Sequence, residues 1–441
     1  MAVLPTGIGP VTGGYQIERS LRFNSADSAY LNRTPGSAGN RKTWTWSAWF
    51  KKTRIGSTEY IFTSGDSGVS LLRSFIYFGS GNEILFIDVD ASNTVLANVS
   101  SPAVFRDPSA WYHIVLALDT TQATGSNRIK LYINGVQQTL TFSTTPSQNA
   151  DLAMNAASRM AIGTDYSNSA YMSGYMTEIN FINGQALTPS SFGRTNTATG
   201  VWEPIAYTGT YGTNGFYLNF SDNSNTTAAT LGKDSSGNGN NWTPNNFSVT
   251  AGAGNDSLVD SPTAYGTDTG VGGEVRGNYA TWNPLASNGT LSNGNLDYSM
   301  GNTKAVATMA MTSGKWYTEV TVNTTSNGLF VIGVGKVNTA LNIFSLGVGY
   351  YADNGNKYVD GTSTSYGATY TAGDVIGVAV NFDSNEVTFY KNNTSQGAIS
   401  LPSSTDGYVL VLQAKSLCLH RPLWLQSTLH TESAYADYWC N

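Results

Sequence analysis

Charge is scarce in this chain. Asp, Glu, Lys and Arg make up 12% of its 441 residues, about half the usual share for a globular protein. The balance is acidic, with a formal net charge of −6 and a pI near 5.1, which argues against nucleic acid as a partner, because binding to a phosphate backbone needs a basic face. Cysteine is scarcer still. The two in the chain, Cys418 and Cys440, cannot form a disulfide framework, so the fold must be held by burial. No apolar run approaches the roughly 18 residues that a membrane helix needs. The opening MAVLPTGIGPVTGGYQ also lacks the basic and continuous apolar regions of a secretory signal. The expectation is a soluble protein with no signal peptide and no membrane insertion.

What is abundant points to β-structure. The chain holds 47 Gly, 25 Tyr and 10 Trp, and Asn, Ser and Thr recur in nearly every segment. Aromatics and Thr suit a pleated surface, while Gly and Asn accept the positive φ of tight turns. Length favours two domains. In KTWTWSAWFKK, Trp44, Trp46, Ala48 and Phe50 fall on one face, with Thr43, Thr45, Ser47 and Trp49 on the other, as period-two alternation requires. In NRIKLYINGVQQT, Ile129, Leu131 and Ile133 alternate with polar or aromatic neighbours before Asn134-Gly135, a dipeptide suited to a type I′ hairpin turn with φ above zero at both positions.

WYHIVLALD, LYINGV, RMAIGTD and YMSGYMTEINFINGQALTPSSF, in that order, resemble the successive strands of a laminin G-like, concanavalin A-type jelly roll from about Ser20 to Phe192. The resemblance implies two packed antiparallel sheets and a surface that in different relatives binds glycans, proteins or calcium. Within it, His113 is expected to be a packed or hydrogen-bonded sheet residue rather than a ligand. The loop after the IGT strand offers Asp165, Tyr166 and Asn168 as binding candidates. Its two or three oxygens fall short of the six to eight that Ca²⁺ takes, so a solvated loop is expected there. Some sandwich relatives are glycoside hydrolases, which pair two carboxylates about 5 Å apart for retaining cleavage. The nearest candidate is EILFIDVD, but Glu83 and Asp88 are five apart and so on opposite faces, and Asp88 with Asp90 lacks a third acid. No catalytic residue is assigned.

Between about Thr195 and Leu285 the chain is richer in Gly, Asn, Ser and Thr. Phe216, Leu218 and Phe220 alternate as a strand expected to close the first sandwich. After it, composition reads as a linker, yet Trp242, Phe247 and Leu258 suggest a segment lying across domain surfaces. GKWYTEVTV, LFVIGVG, GYYADNGNKYVDG and YTAGDVIGVAVNFDSNEVTFYKNNTSQG follow. Val375 to Phe382 is apolar on both faces, as a central strand would be. These motifs resemble the SPRY domain from about Asn288 to Leu401, a two-sheet jelly roll that as a family binds partners without catalysis. The resemblance makes Tyr351, Asp353, Asn354 and Tyr358 candidates for a binding rim. The plainer alternative is that Tyr351 and Tyr358 pack as a cross-strand pair beside a turn.

The expected fold is all-β, with two concanavalin A-like jelly-roll β-sandwiches in tandem: a laminin G-like sandwich over 1–225, a Gly/Asn-rich bridge over 226–285 and a SPRY-like sandwich over 286–415. Together with VWEPIAYTGTYGTNGFYLNFSD, DSSGNGNNWTPNNFS and GNYATWNPL, this arrangement resembles marine bacteriophage virion proteins. That implies a non-enzymatic tail-fibre or tail-associated protein of the virion that binds a host-surface glycan or protein. Its other partners would be virion proteins, with a homo-oligomer possible and no cofactor. The rivals are a lectin-fold glycoside hydrolase, a structural spacer and a cellular SPRY adaptor.

The last stretch, 416–441, departs from all of this. Cys418, His420, His430 and Cys440 have the spacing C-x-H-x9-H-x9-C, which matches no regular zinc pattern, so no metal is expected. Regrouping the codons by one frame allows Ser416 to His430 to become PFAYTAPSGFKALCT and Glu432 to Tyr438 to become NLPTPTI, similar to the C-terminal end of the same phage proteins. The tail is expected to be an out-of-frame, poorly ordered segment that leaves the second sandwich without its proper closing strand. The nucleotide sequence is the test.

Overall fold

Period-two alternation of large apolar with polar side chains yields strands throughout, and the chain divides into two compact units. One is formed chiefly by Thr12–Ala264 with Arg276–Asn278, the other chiefly by Tyr279–Asn441. The structure is a computed structural model that describes residues 14–66, 70–265, 275–299, 303–323, 331–337, 347–414 and 425–426. Among the described residues the only helical elements are two short 3₁₀ turns, Gly125–Asn127 and Pro189–Ser191, and no helix is long and apolar enough to cross a membrane.

The first unit is a pair of antiparallel sheets. One runs Val136–Gln137, Ile129–Ile133, Trp111–Asp119, Thr43–Lys52, Gly174–Asn183, Ser20–Phe23, Ser257–Leu258, with Phe216–Leu218 also pairing along Gly174–Asn183. The other runs Thr141–Thr144, Val95–Val104, Glu83–Val89, Ser70–Phe78, Glu59–Asp66, Met160–Ile162, Tyr30–Arg33, Thr243–Asn245. Their facing rows interdigitate. Trp44 meets Phe86 at 5.9 Å, Trp46 stacks on Phe62 at 6.1 Å and Phe50 lies 4.9 Å from Phe78, ring centre to ring centre. Each such buried side chain contributes on the order of 1.5–3 kcal/mol.

The hairpin at Asn134-Gly135 has φ of +47° and +81°, the positive pair that a type I′ turn demands. Gly135 has a second reason to be glycine. Trp202 lies against it, and a Cβ there would come within 2.5 Å of the ring.

The stretch that composition reads as a linker is built into this unit up to Ala264. Trp242 and Phe247 join the core, with Trp242 fully buried. Thr243–Asn245 pairs with Tyr30–Arg33, and Ser257–Leu258 pairs with Ser20–Phe23. Two buried ion pairs fasten it: Arg22 to Asp256 at 2.9 Å, and Lys51 to Asp260 at 2.7 Å. Asp260 also accepts the Trp111 indole N–H at 3.0 Å, and Lys51 donates to Asn278 at 2.9 Å. The segment is poor in apolar residues because a few large ones and two charges suffice to hold it.

In the second unit a six-stranded sheet runs Thr303–Met311, Tyr408–Ala414, Val331–Lys336, Gly347–Tyr351, Lys357–Val359, Thr362–Thr364. A five-stranded one runs Thr394–Ser400, Glu386–Lys391, Val375–Asn381, Lys315–Thr321, Leu425–Gln426. Val375–Asn381 is central, with Ile376, Val378 and Val380 in a core shared with Phe389, Tyr350 and Trp282. Tyr408–Ala414 is central in the other sheet, and Leu410, Val411 and Leu412 are buried on both of its faces. Cys418, His420, His430 and Cys440 lie outside the described residues. Of the tail, Leu425–Gln426 is described, pairing with Trp316 and Tyr317.

Candidate binding surfaces

On the outer face of the second sheet of the first unit, register sets Tyr60 beside Tyr77 and Tyr77 beside Leu85, and next to them Thr63 beside Phe75 and Phe75 beside Ile87. Alternation explains the placement: Ile76, Phe78, Ile84 and Phe86 point to the core, so Phe75, Tyr77, Leu85 and Ile87 point away from it. Tyr60 and Tyr77 stack at 5.3 Å, and Phe75 lies 5.6 Å from Tyr60 and 5.8 Å from Tyr166. The Arg73 guanidinium sits 5.2 Å over the Tyr166 ring, a cation–π contact that steadies both. Tyr60, Tyr77 and Tyr166 are only partly buried. Burial, then the neighbouring Tyr60 and Glu83, push the Tyr77 phenol up to about 12, so it is a neutral hydrogen-bonding group at ordinary pH.

The loop with Asp165, Tyr166 and Asn168 borders this face. Asp165 serves its own loop. One of its oxygens accepts the Ser169 N–H at 2.7 Å and the Ala170 N–H at 3.3 Å, and the other accepts the Ser167 and Ser169 hydroxyls, both at 2.7 Å. These donors hold its pKa below the usual carboxylate value against the opposing effect of burial. Asn168, at φ +55°, accepts from Arg159 at 2.5 Å. A cation at Asp165 would have to displace these donors. Among the described residues no group of three or more His, Cys, Asp or Glu is placed to hold a metal ion.

The other candidates lie on Gly347–Tyr351, on Lys357–Val359 and in the turn that joins these two strands. Tyr351 and Tyr358 lie edge to face at 6.0 Å, and the Tyr351 hydroxyl donates to Asp353 at 3.2 Å. Asn354 accepts the Asn356 N–H at 2.9 Å. Asp353 and Asn354 are exposed.

Among the described residues, His113 and the carboxylates of EILFIDVD are placed as follows. His113 is stacked between Trp49, at 5.0 Å, and Trp202, at 5.9 Å. Its Nδ1 accepts the Trp202 indole N–H at 3.0 Å, so the proton is on Nε2, which meets the Ser47 hydroxyl at 2.9 Å. Burial lowers its pKa to about 3. Asp88 accepts the Ala153 N–H at 2.8 Å and the Ser74 hydroxyl, and burial raises it to about 7. Glu83 lies on the opposite strand face. Asp90 caps a turn by accepting the Ser92 and Thr94 N–H groups, both at 2.8 Å.

Tyr60, Arg73, Phe75 and Tyr77 escaped the sequence reading. The signal was SFIYF, in which aromatic rings occupy both sides of an alternating strand.

Residues 24–193 match the concanavalin A-like lectin/glucanases superfamily, and residues 315–407 match the SPRY domain. The chain thus carries a concanavalin A-like domain followed by a SPRY domain. Among solved structures, the SPRY domain of human HERC1 has 17% identity, covering 34% of this chain and 99% of its own, with a TM-score of 0.29. A heptameric SAP-like pentraxin from Limulus polyphemus has 15% identity, covering 40% of this chain and 80% of its own, with a TM-score of 0.30. A human SPRY domain has 21% identity, covering 28% and 94%, with a TM-score of 0.22. No curated protein matches the chain in sequence.

Proposed function

We propose that the chain is a non-enzymatic adhesion protein whose first sandwich binds a host-surface glycan on the face formed by Tyr60, Tyr77 and Tyr166 over the buried Phe75. The observation that carries this reading is an aromatic cluster on a sheet face that alternation would otherwise make polar. Rings with phenol hydroxyls suit a sugar, which presents an apolar C–H face and a polar rim. A chain of low charge favours such a neutral ligand over an acidic or basic one. The resemblance to marine phage virion proteins points to a tail fibre or tail-associated component as its setting. The Tyr351, Asp353, Asn354 and Tyr358 hairpin of the SPRY domain would then be left for a protein partner, another virion protein included.

The test is glycan-array and host-cell binding by the whole chain and by Tyr77→Ala and Tyr166→Ala. The expected result is a loss of roughly tenfold or more in each variant, about 1.4 kcal/mol. Wild-type protein that binds neither glycans nor host cells, or variants that bind as well as wild type, would overturn the reading. Turnover of a polysaccharide by the purified chain would replace adhesion with hydrolysis. Absence of the protein from purified particles would remove the virion setting.

A further inference from the structure

Glu178 sits where its residue type is rarely found. It lies in the central strand Gly174–Asn183, at the irregularity between Thr177 and Asn180 where pairing with Thr43–Lys52 shifts register. Its φ is +53°, in the left-handed region that a side chain disfavours, and the residue is 7% exposed.

Its carboxyl group meets two phenols. The Tyr15 hydroxyl is 2.7 Å from Oε2, the Tyr217 hydroxyl is 2.8 Å from each carboxyl oxygen, and the two hydroxyls are 2.6 Å apart. Three groups in mutual contact make a ring of three hydrogen bonds, and each bond needs one proton. The phenols supply two. An ionised carboxylate would draw both of those protons and leave two phenol oxygens facing each other with nothing between them. A protonated carboxyl completes the ring.

We infer that Glu178 is a neutral acid in the folded protein, and that this third proton latches the Tyr15 side chain onto the first sandwich until the carboxyl ionises. Burial pushes the carboxyl up to about 7 against the opposing effect of the two phenols. Burial and the nearby carboxyl move the Tyr15 and Tyr217 phenols above their ordinary range, so the acid is the member of the ring that titrates.

Among the described residues, the other titratable groups around it are few. Tyr211 stacks on Tyr217 at 6.3 Å and donates to Asn180 at 3.0 Å, and Asp234 accepts the Tyr217 N–H at 2.9 Å. On the segment leading to Ser20, the Arg19 carbonyl accepts the Thr177 hydroxyl at 2.7 Å, the Glu18 carbonyl accepts from Arg276 at 2.8 Å, and the Ile17 N–H donates to Thr263 at 3.0 Å. These contacts hold the segment near the strand, so opening is confined to the residues at Tyr15 itself.

The experiment is amide hydrogen exchange of the peptide containing Tyr15 in the whole chain, at about pH 6 and about pH 8.5, with wild type and Glu178→Gln compared at each pH. Gln can donate one hydrogen bond and accept another in the place of a neutral acid, so it keeps the ring closed at both pH values. The two proteins should exchange alike near pH 6, and wild type at least about fivefold faster near pH 8.5. Equal exchange at both pH values, or faster exchange by wild type already near pH 6, would overturn the latch. Tyr15→Phe keeps the test decisive if Glu178→Gln fails to fold. It should exchange fast at both pH values, and a Tyr15→Phe protein protected like wild type near pH 6 would also overturn the inference.

Discussion

Among the described residues, three ion pairs of the first sandwich are buried, Arg22 with Asp256, Lys51 with Asp260, and Lys52 with Glu59, the last also accepting the Ser173 N–H at 2.9 Å. Two of them join residues 234 and 209 positions apart. In the second sandwich the pairs Lys315 with Asp383, Lys336 with Asp360, and Lys391 with Asp374 all keep some contact with solvent. The difference follows from connectivity. Val375–Asn381, Glu386–Lys391 and Thr394–Ser400 are consecutive hairpins, so short turns supply their register. Both sandwiches also take edge strands from distant segments, Thr303–Met311 on Tyr408–Ala414 in the second, but those of the first, Thr243–Asn245 and Ser257–Leu258, come from farther along the chain than any in the second. A buried charge that accepts one partner can select the docking position that a short turn cannot.

The sharpest break of that contrast is Lys51→Ala, which leaves Asp260 buried without its cation. The first sandwich should lose about 3–5 kcal/mol, read as a fall in its calorimetric transition and in exchange protection of the 257–260 region, with the second sandwich unmoved. Next in size is Asp88→Asn. The folded pKa of Asp88, about 7, is above that of a free Asp, about 3.9. Both states hold the proton below about pH 4, and the wild-type advantage is lost as pH rises toward 7. The variant should therefore gain on wild type by roughly 3 kcal/mol between pH 4 and pH 8 in denaturant unfolding. His113, buried neutral, gives the opposite slope but is common to both proteins and cancels. The smallest effect belongs to Asp383→Asn in the second sandwich. With a 3.8 Å separation and Asp383 70% exposed, its removal should change stability by less than about 1 kcal/mol. A loss as large as that of Lys51→Ala would erase the distinction between the two sandwiches.

Much of the strand architecture was legible in the sequence because alternation reports which side chains share a face. Trp44, Trp46 and Phe50 against Thr45 and Ser47, and Val375 to Phe382 as a central strand, could be read that way, and Asn134-Gly135 marked its turn by residue type alone. Trp242 was visible as an aromatic in a polar stretch, but not as a core residue. Its indole N–H has no acceptor among the described residues, so the packing of its rings, rather than hydrogen bonding, accounts for its place there. The loop at Asp165 was found from its oxygen-bearing side chains, but the cluster beside it was not, because Tyr60, Phe75 and Tyr77 lie on two strands whose pairing no local pattern states.

The sequence by itself determined the all-β class, the two sandwich motifs in order and the faces of individual strands, since each rests on the period-two geometry of an extended chain or on a short motif. Only the tertiary structure decided which strands are neighbours, that 226–264 closes the first sandwich, that Lys51 finds Asp260, and that Glu178 meets Tyr15 and Tyr217. Those are contacts across large sequence separations, set by how whole sheets twist and stack, and local periodicity carries no record of them.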